Sequence, residues 1–320
     1  MEAMEKAFKY DVLCTGMALI DSIIKGFDPK PVSASGFRAS SCTLNAGGEA
    51  VNESVTAAKL GLKTAILCAL GNDMAANMVT DVLNSAGVDT SLIIRPEGHS
   101  TPVTTMFVNE DGTRKSVTCK AHTMGFRAQD NRDAILSTRA LIMGSLFRSP
   151  FDDPQTILET VRPASENGVL VVADTKIPNF RMMTLEDVMQ ALPYIDYITP
   201  NEDEAKYFTG RTEPSEMAQV FLDYGVKNVI VKLGSKGCYF RNAEKQISLP
   251  ALPVNAVDST GAGDNFIAGF VSELLGGQSV EDALKFATAC GAICTTAVGA
   301  CTALKDRKQV SDYLKQYSFN

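Results

Sequence analysis

Apolar and polar positions follow two rhythms along the chain. Short continuous apolar runs, rich in β-branched residues, occupy 10–19, 63–70, 139–144, 168–175, 195–200 and 227–234. Their length and bounding glycines predict buried strands. Between them, apolar residues recur at helical spacing. The segment 49–61 predicts a helix closed by Gly61, and 73–87 predicts one closed by Gly87, each glycine suited to the turn after a helix. Further helices are expected over 154–167, 184–192, 202–209 and 214–225, and the chain reads as mostly helical after 262. Strands that alternate with helices predict a mostly parallel sheet covered on both faces, an α/β fold. Two stretches break the rhythm. Residues 18–46 show no clear helix. Residues 101–119 show two alternating runs around Asn109-Glu110-Asp111-Gly112, a hairpin signal with one covered face. Both are assigned to a small β-sheet appended to the main fold, over about 18–46 and 90–120. No low-complexity linker divides the chain, so 1–320 is read as one domain.

Composition narrows the function classes. The 320 residues are 45% hydrophobic and 21% charged, which suffices for a large core without crosslinks. A net charge of −7 argues against nucleic-acid or anionic-membrane partners. The polar start of the chain and the lack of a membrane-length apolar run lead to a cytoplasmic expectation. Eight cysteines include no C-x-x-C; Cys290 and Cys294 are four apart on an expected helix, and all are read as buried thiols. Two isolated histidines, His99 and His122, argue against Ser-His-Asp chemistry or a histidine-rich zinc site.

The most informative stretch is AVDSTGAGDNFIAGF, residues 256–270. It is not a dinucleotide fingerprint, because Phe266 stands where the third glycine belongs, and it lacks the Lys-Ser/Thr ending of a phosphate-binding P-loop. In the plainer reading Asp258, Ser259 and Thr260 cap a helix. In the sharper one the small residues Gly261, Ala262 and Gly263 let backbone N–H groups at a helix start approach a phosphate, with the positive end of the helix dipole behind them. Asp264 would then stand ionised at the edge of that cradle, placed to take a proton from an attacking alcohol.

DSTGAGDNFIAGF closely resembles the C-terminal signature of the PfkB, or ribokinase-like, carbohydrate kinases. NAGGEAVNESVTAAKLG, residues 45–61, resembles their N-terminal signature, in the right order and separation. The resemblance spans nearly the whole chain. It implies a three-layer α/β/α core with a β-sheet lid over the sugar. It implies Asp264 as general base and Gly261, Ala262 and Gly263 as the anion hole, with Thr260 beside the phosphate. The segment GMALID places Asp21 on the sugar, together with Gly47, Gly48 and Asn52. TPNEDEA resembles the family's Asn-x-x-Glu motif, so Asn201 and Glu204 are expected to organise Mg²⁺ through water. VKLGSKGCYF supplies Lys232, Gly234 and Gly237 on the nucleotide side, where members often carry Thr or Ser at the lysine position. Thr288 is carried over to the adenine side. Asp258 and Gly299 resemble a monovalent-cation (K⁺) site found in some members.

The implied activity is transfer of the γ-phosphoryl of ATP to a hydroxyl, expected to be primary, of an unphosphorylated sugar or sugar acid. Ribokinases and sugar-phosphate kinases commonly carry Gly-Gly-Lys where this chain has Glu49, so a phosphorylated acceptor lacks its cation. Fructokinase-like and 2-keto-3-deoxygluconate-kinase-like members resemble the pattern better. Lys176, or Arg148, is the candidate partner for a sugar-acid carboxylate. The alternatives are a nucleoside kinase, which would need apolar walls such as Phe27, Phe37 and Phe107, and a non-catalytic sugar-binding protein. A homodimer through the lid is expected.

Overall fold

The computed structural model describes residues 8–26, 39–108, 114–118, 127 and 131–317. Its strands are β1 (Tyr10–Thr15), β2 (Leu19–Lys25), β3 (Ser41–Gly47), β4 (Thr64–Leu67), β5 (Val103–Val108), β6 (Arg114–Thr118), β7 (Thr138–Leu146), β8 (Leu170–Thr175), β9 (Tyr197–Ile198), β10 (Asn228–Lys232), β11 (Cys238–Asn242) and β12 (Gln246–Leu249). Its helices are α1 (Glu49–Lys59), α2 (Met74–Ser85), α3 (Arg132–Leu136), α4 (Pro154–Glu166), α5 (Glu202–Thr209), α6 (Pro214–Asp223), α7 (Ala262–Leu275), α8 (Val280–Cys294) and α9 (Arg307–Leu314).

The apolar runs become one sheet in the order β12-β11-β10-β9-β8-β7-β1-β4. The strands from β10 to β4 pair in parallel. Both faces are buried, which is why these runs are apolar throughout rather than alternating. Leu13, Leu141, Val171 and Val229 pack with Ile157 and Val161 of α4 and Phe221 of α6. Their neighbours Val12, Ile142, Val172 and Ile230 face the other way, onto Phe270 of α7 and Leu284 of α8. Burial of each such side chain contributes about 1.5–3 kcal/mol.

Two expectations change. The run 10–19 is two strands, because the chain leaves the large sheet at Gly16, where a Cβ would lie 2.7 Å from the Gly144 carbonyl oxygen. The sheet is mostly parallel, as expected, with β11 and β12 as an antiparallel edge beside β10. The segment 184–192 holds a 3₁₀ turn at 186–188, and a second follows at 192–194, instead of an α-helix.

A second sheet, in the order β3-β2-β5-β6, is built from the two segments that broke the rhythm. β5 and β6 pair antiparallel as the hairpin pattern predicts, although its turn at 109–112 lies outside the described residues. His122, Phe27 and Phe37 also lie outside them. No disulfide joins the described cysteines, and Cys42 is exposed rather than buried. Among the described residues no helix is long and apolar enough to cross a membrane.

Candidate active site

From β1 the chain proceeds to β4 on one side and later to β7 on the other, so the strand order reverses beside β1. In open α/β sheets a crevice forms outside the carboxyl ends of the strands at such a reversal. The backbone there is unusual: Ser145 and Phe147, at the end of β7, hold φ values of 65° and 75°. A cleft of about 750 Å³ opens at this point. Asp21, Thr104 and Met106 line it from the small sheet, Glu49 and Asn52 from α1, Lys176 from beyond β8, and 259–264 from the mouth of α7.

The mouth of α7 is built by its sequence. Gly261 adopts φ 77°, and a Cβ there would lie 2.2 Å from that of Ala300, so only glycine fits. Asn265, fully buried, holds the turn: its side-chain amide donates to the carbonyls of Gly261 (2.8 Å) and Ala300 (2.9 Å). Its Oδ1 accepts from Thr56 of α1 (3.1 Å), which ties the two helices together. The first N–H groups of α7 have no partner within the helix and point out of its start. Lys232 lies alongside, with its Nζ 3.1 Å from where a Cβ of Gly263 would be.

Asp264 sits on the first turn of α7, 7% exposed yet lining the cleft. Asn52 donates to its Oδ2 at 2.6 Å. Oδ1 of the same Asn52 accepts from the Cys301 thiol at 3.4 Å, so both ends of this amide are engaged. Burial raises the Asp264 carboxyl to about 6; Lys176 and Asn52 oppose the rise, while Glu49 and Asp174 add to it. Asp21 is also raised to about 6, by burial first and then by Glu49, Asp264 and Asp258. Gly47 leaves room for it, since a Cβ there would lie 2.3 Å from Asp21 Oδ2.

Two ion pairs complete the floor. Lys176 Nζ lies 3.2 Å from Glu49 Oε1, and Ser145 donates to Glu49 Oε2 at 2.6 Å. Burial works against the charge on Lys176, but Glu49, Asp174, Asp264 and Glu204 outweigh it and hold the ammonium well above its usual range. Burial likewise works against Glu49, yet Lys176 and the Ser145 hydroxyl bring it below the usual carboxylate range. In the second pair Lys232 Nζ meets Asp174 Oδ1 at 2.6 Å, and Thr199 donates to the same oxygen at 3.0 Å. Among the described residues four acids (Asp21, Glu49, Asp174, Asp264) and four cations (Lys115, Arg148, Lys176, Lys232) line the cleft. The excess negative charge of the whole chain is therefore absent from the place where an anionic ligand would enter.

Of the remaining sequence candidates, Gly48, Thr260, Ala262, Gly263, Gly234, Asn201 and Arg148 line the cleft. Arg148 donates Nε–H to the Ile177 carbonyl at 2.6 Å. Asn201 and Glu204 cap α5 reciprocally, each side chain accepting the other's N–H at 2.9 Å. Thr175 adds a 2.9 Å bond to Glu204 Oε2. Gly237 and Thr288 lie outside the cleft lining. Gly237 closes a turn against the Leu249 carbonyl, and Thr288 donates to the Leu284 carbonyl within α8. Asp258 accepts from the N–H and hydroxyl of Thr260 and from the Gly299 N–H, which together hold its carboxyl low against burial. Phe107 is absent from the lining and its strand neighbour Met106 is present; among the described residues the cleft's aromatic side chain is Phe180. Sequence reasoning passed over Asp174, Asn265 and Phe180. Asp174 at the end of an apolar strand run was the one with a readable signal.

A model of the pfkB family carbohydrate kinases matches residues 10–307. Ribokinase from Haemophilus influenzae is 29% identical over 277 residues, covering 84% of this chain and 87% of that protein. Deoxyribokinase from Salmonella typhi is 27% identical over 314 residues, covering 95% and 98%. Among solved structures, Arabidopsis thaliana ribokinase complexed with ribose and ATP superposes with a TM-score of 0.84 at 26% identity, covering 97% of this chain and 99% of that one.

Proposed function

The chain belongs to the pfkB family of carbohydrate kinases, phosphotransferases that act on hydroxyl groups, and from that premise we propose that it transfers the γ-phosphoryl of ATP to a hydroxyl, a primary one, of a neutral, unphosphorylated sugar. One observation carries this reading. The backbone at Gly261 and Gly263 and the Asp264 carboxylate share the first turn of one helix and open into one cleft. Among the described residues the N–H groups of Gly261 and Gly263 carry no bond at the helix start, while that of Ala262 is taken by the Ser259 carbonyl at 3.2 Å.

In this reading Asp264, ionised above about pH 6, accepts the proton of the acceptor hydroxyl. Asn52 holds that carboxylate in place at 2.6 Å. The N–H groups of Gly261 and Gly263 and the Lys232 ammonium stabilise charge on the transferring phosphoryl. Asp21 and Glu49 accept hydrogen bonds from sugar hydroxyls. Mg²⁺, when bound with ATP, neutralises phosphate charge. The donor set fits it through water: Asn201 faces the cleft, and beside it Glu204 keeps one carboxylate oxygen outside its capping bonds. A K⁺ ion beside Asp258 would have to share oxygens that already accept N–H and O–H donors, and we assign it no step.

The acceptor is narrowed by the Glu49–Lys176 pair. A lysine already neutralised at 3.2 Å offers little to a substrate carboxylate, and Glu49 repels one. This favours fructose-like over 2-keto-3-deoxygluconate-like acceptors; Arg148 remains the seat for a sugar acid if one is used. The small sheet supplies one wall of the cleft and is read as a lid that excludes water on closing. Its far side exposes Leu44 and Val117, at 55% and 64%, and is read as the homodimer surface. An ATP-consuming protein with unpaired thiols suits a reducing compartment such as the cytoplasm.

The test is coupled ADP release across ketoses, aldoses, aldonic acids and nucleosides. Turnover with neutral sugars is expected. Turnover with nucleosides alone would make this a nucleoside kinase, and sugar binding without ADP release would make it a binding protein.

A further inference from the structure

Glu53 lies on α1 beside Asn52, one turn beyond Glu49, and is fully buried. Neither of its carboxyl oxygens has a hydrogen-bond partner among the described residues. One oxygen each from Glu53, Asp174 and Asp264 lie within 4.8 Å of one another. Gly144 of β7 closes the other side: a Cβ there would stand 3.1 and 3.3 Å from the two Glu53 oxygens. The polar groups facing it come from every neighbouring element: Asp264 of α7, Asp174 of β8, Glu49 of α1, Lys232 of β10 and the Cys14 thiol of β1.

A buried carboxyl with no donor and two carboxylates at hand is held uncharged, because an unpaired charge in that position has neither solvent nor counter-ion. Burial pushes this group well above its usual range; Asp264, Asp174 and Glu49 add to the rise, and Lys232 opposes it. A neutral carboxylic acid carries one O–H donor. The acceptors beside it are Asp174 and Asp264. Asp174 is already served by Lys232 and Thr199, whereas Asp264 has Asn52. The lysine seated on Asp174 also disfavours a metal ion shared by the three acids.

We propose that Glu53 is a positioning residue, a neutral carboxylic acid whose O–H hydrogen-bonds the Asp264 carboxylate from the side opposite the cleft. The proposal rests on Asp264 as the base of the proposed kinase. Glu53 steadies the ionised base without adding charge to the phosphate site, and Asp264 and Glu53 together keep one proton at neutral pH.

Two measurements test it. In pH profiles of kcat with a neutral sugar, Glu53→Gln keeps shape and donor and should leave the acid limb in place. Glu53→Met removes the donor and should move that limb up by about one pH unit, costing about tenfold at pH below the limb. A merely structural role would lower kcat without moving the limb. Independently of turnover, infrared spectra of wild type carrying ¹³C-carboxyl glutamate should show, at pH 8, a protonated carboxylic acid band that shifts with the label and disappears in Glu53→Gln. That arm needs no sugar turnover, and the band in wild type is read without any variant. Glutamate bands that are all ionised at pH 8, or the same acid limb in Gln and Met variants, would overturn the proposal.

Discussion

At pH 8 an ionised Asp264 is buried among Glu49 and Asp174, with Asn52 and Lys176 as compensation. Its carboxyl titrates near 6 in the folded protein, against about 3.9 in an unfolded chain. The folded state therefore binds the extra proton between those values, and its stability falls as pH rises through that window. Asp264→Asn removes this penalty. Its Tm should exceed that of wild type at pH 8, with the gap closing towards about pH 4, while kcat falls about 10²–10⁴-fold. Thermal melts at several pH values and steady-state ADP release check both halves; a Tm gap independent of pH would mean the carboxyl is not perturbed. Asp264 and the small residues before it were legible because glycines and an acid at a helix start are a compact local signal. Glu49, Lys176, Asp174 and Glu53 were not legible in their roles. Lys176 read as a free cation for a carboxylate, and only folding brings Glu49 to within 3.2 Å of it. Glu53 is, by sequence, an ordinary helix acid.

At the scale of elements, the mouth of α7 depends on a left-handed residue at 261. Gly261→Ala would incur about 1–2 kcal/mol for that conformation, in addition to the contact with Ala300. It should lower Tm, raise the KM for ATP and lower kcat by up to about 10²–10³-fold, the usual worth of a displaced anion-hole donor. Ala262→Gly, which leaves the N–H where it is, serves as the control; equal losses in both would show that backbone placement there is unimportant. Helices with strong end signals were the most legible. Asp73, whose side chain accepts the Ala76 N–H at 2.8 Å, starts α2, and Gly87 follows its end. In the 184–192 segment Leu185, Val188 and Leu192 are buried, at a spacing that suits a helix. Apolar spacing alone does not choose between α and 3₁₀ hydrogen bonding, and here Thr184 and Asp187 close a single turn through a 2.8 Å bond. The antiparallel edge of β11 and β12 was missed because its signals are short: β11 offers the buried apolar residues Cys238, Tyr239 and Phe240 before Arg241, and β12 alternates over Gln246–Leu249 alone.

At the scale of the whole molecule, the alternation of strands and helices was enough to give the layered architecture, and the two irregular segments gave the second sheet. The position of the cleft was not readable, because it follows from the reversal of strand order beside β1. The outer side of the small sheet is where assembly is expected. Leu44 pairs with Ser22, Ser22 with Thr105 and Thr105 with Val117, so the two exposed apolar residues share one row across the sheet. Sedimentation of wild type should give twice the chain mass and Val117→Lys the single-chain mass; equal masses for both would remove this surface from the assembly. The bond between Asn52 and Asp264 joins residues 212 positions apart. A nascent polypeptide that has emerged only through β12 already contains α1 and the small sheet, yet it lacks the proposed proton acceptor and the proposed seat for the γ-phosphate. Synthesis order thus acts as a safety catch: in the proposed reaction a chain that stops at β12 is unarmed, and only the residues after Leu249 complete the site.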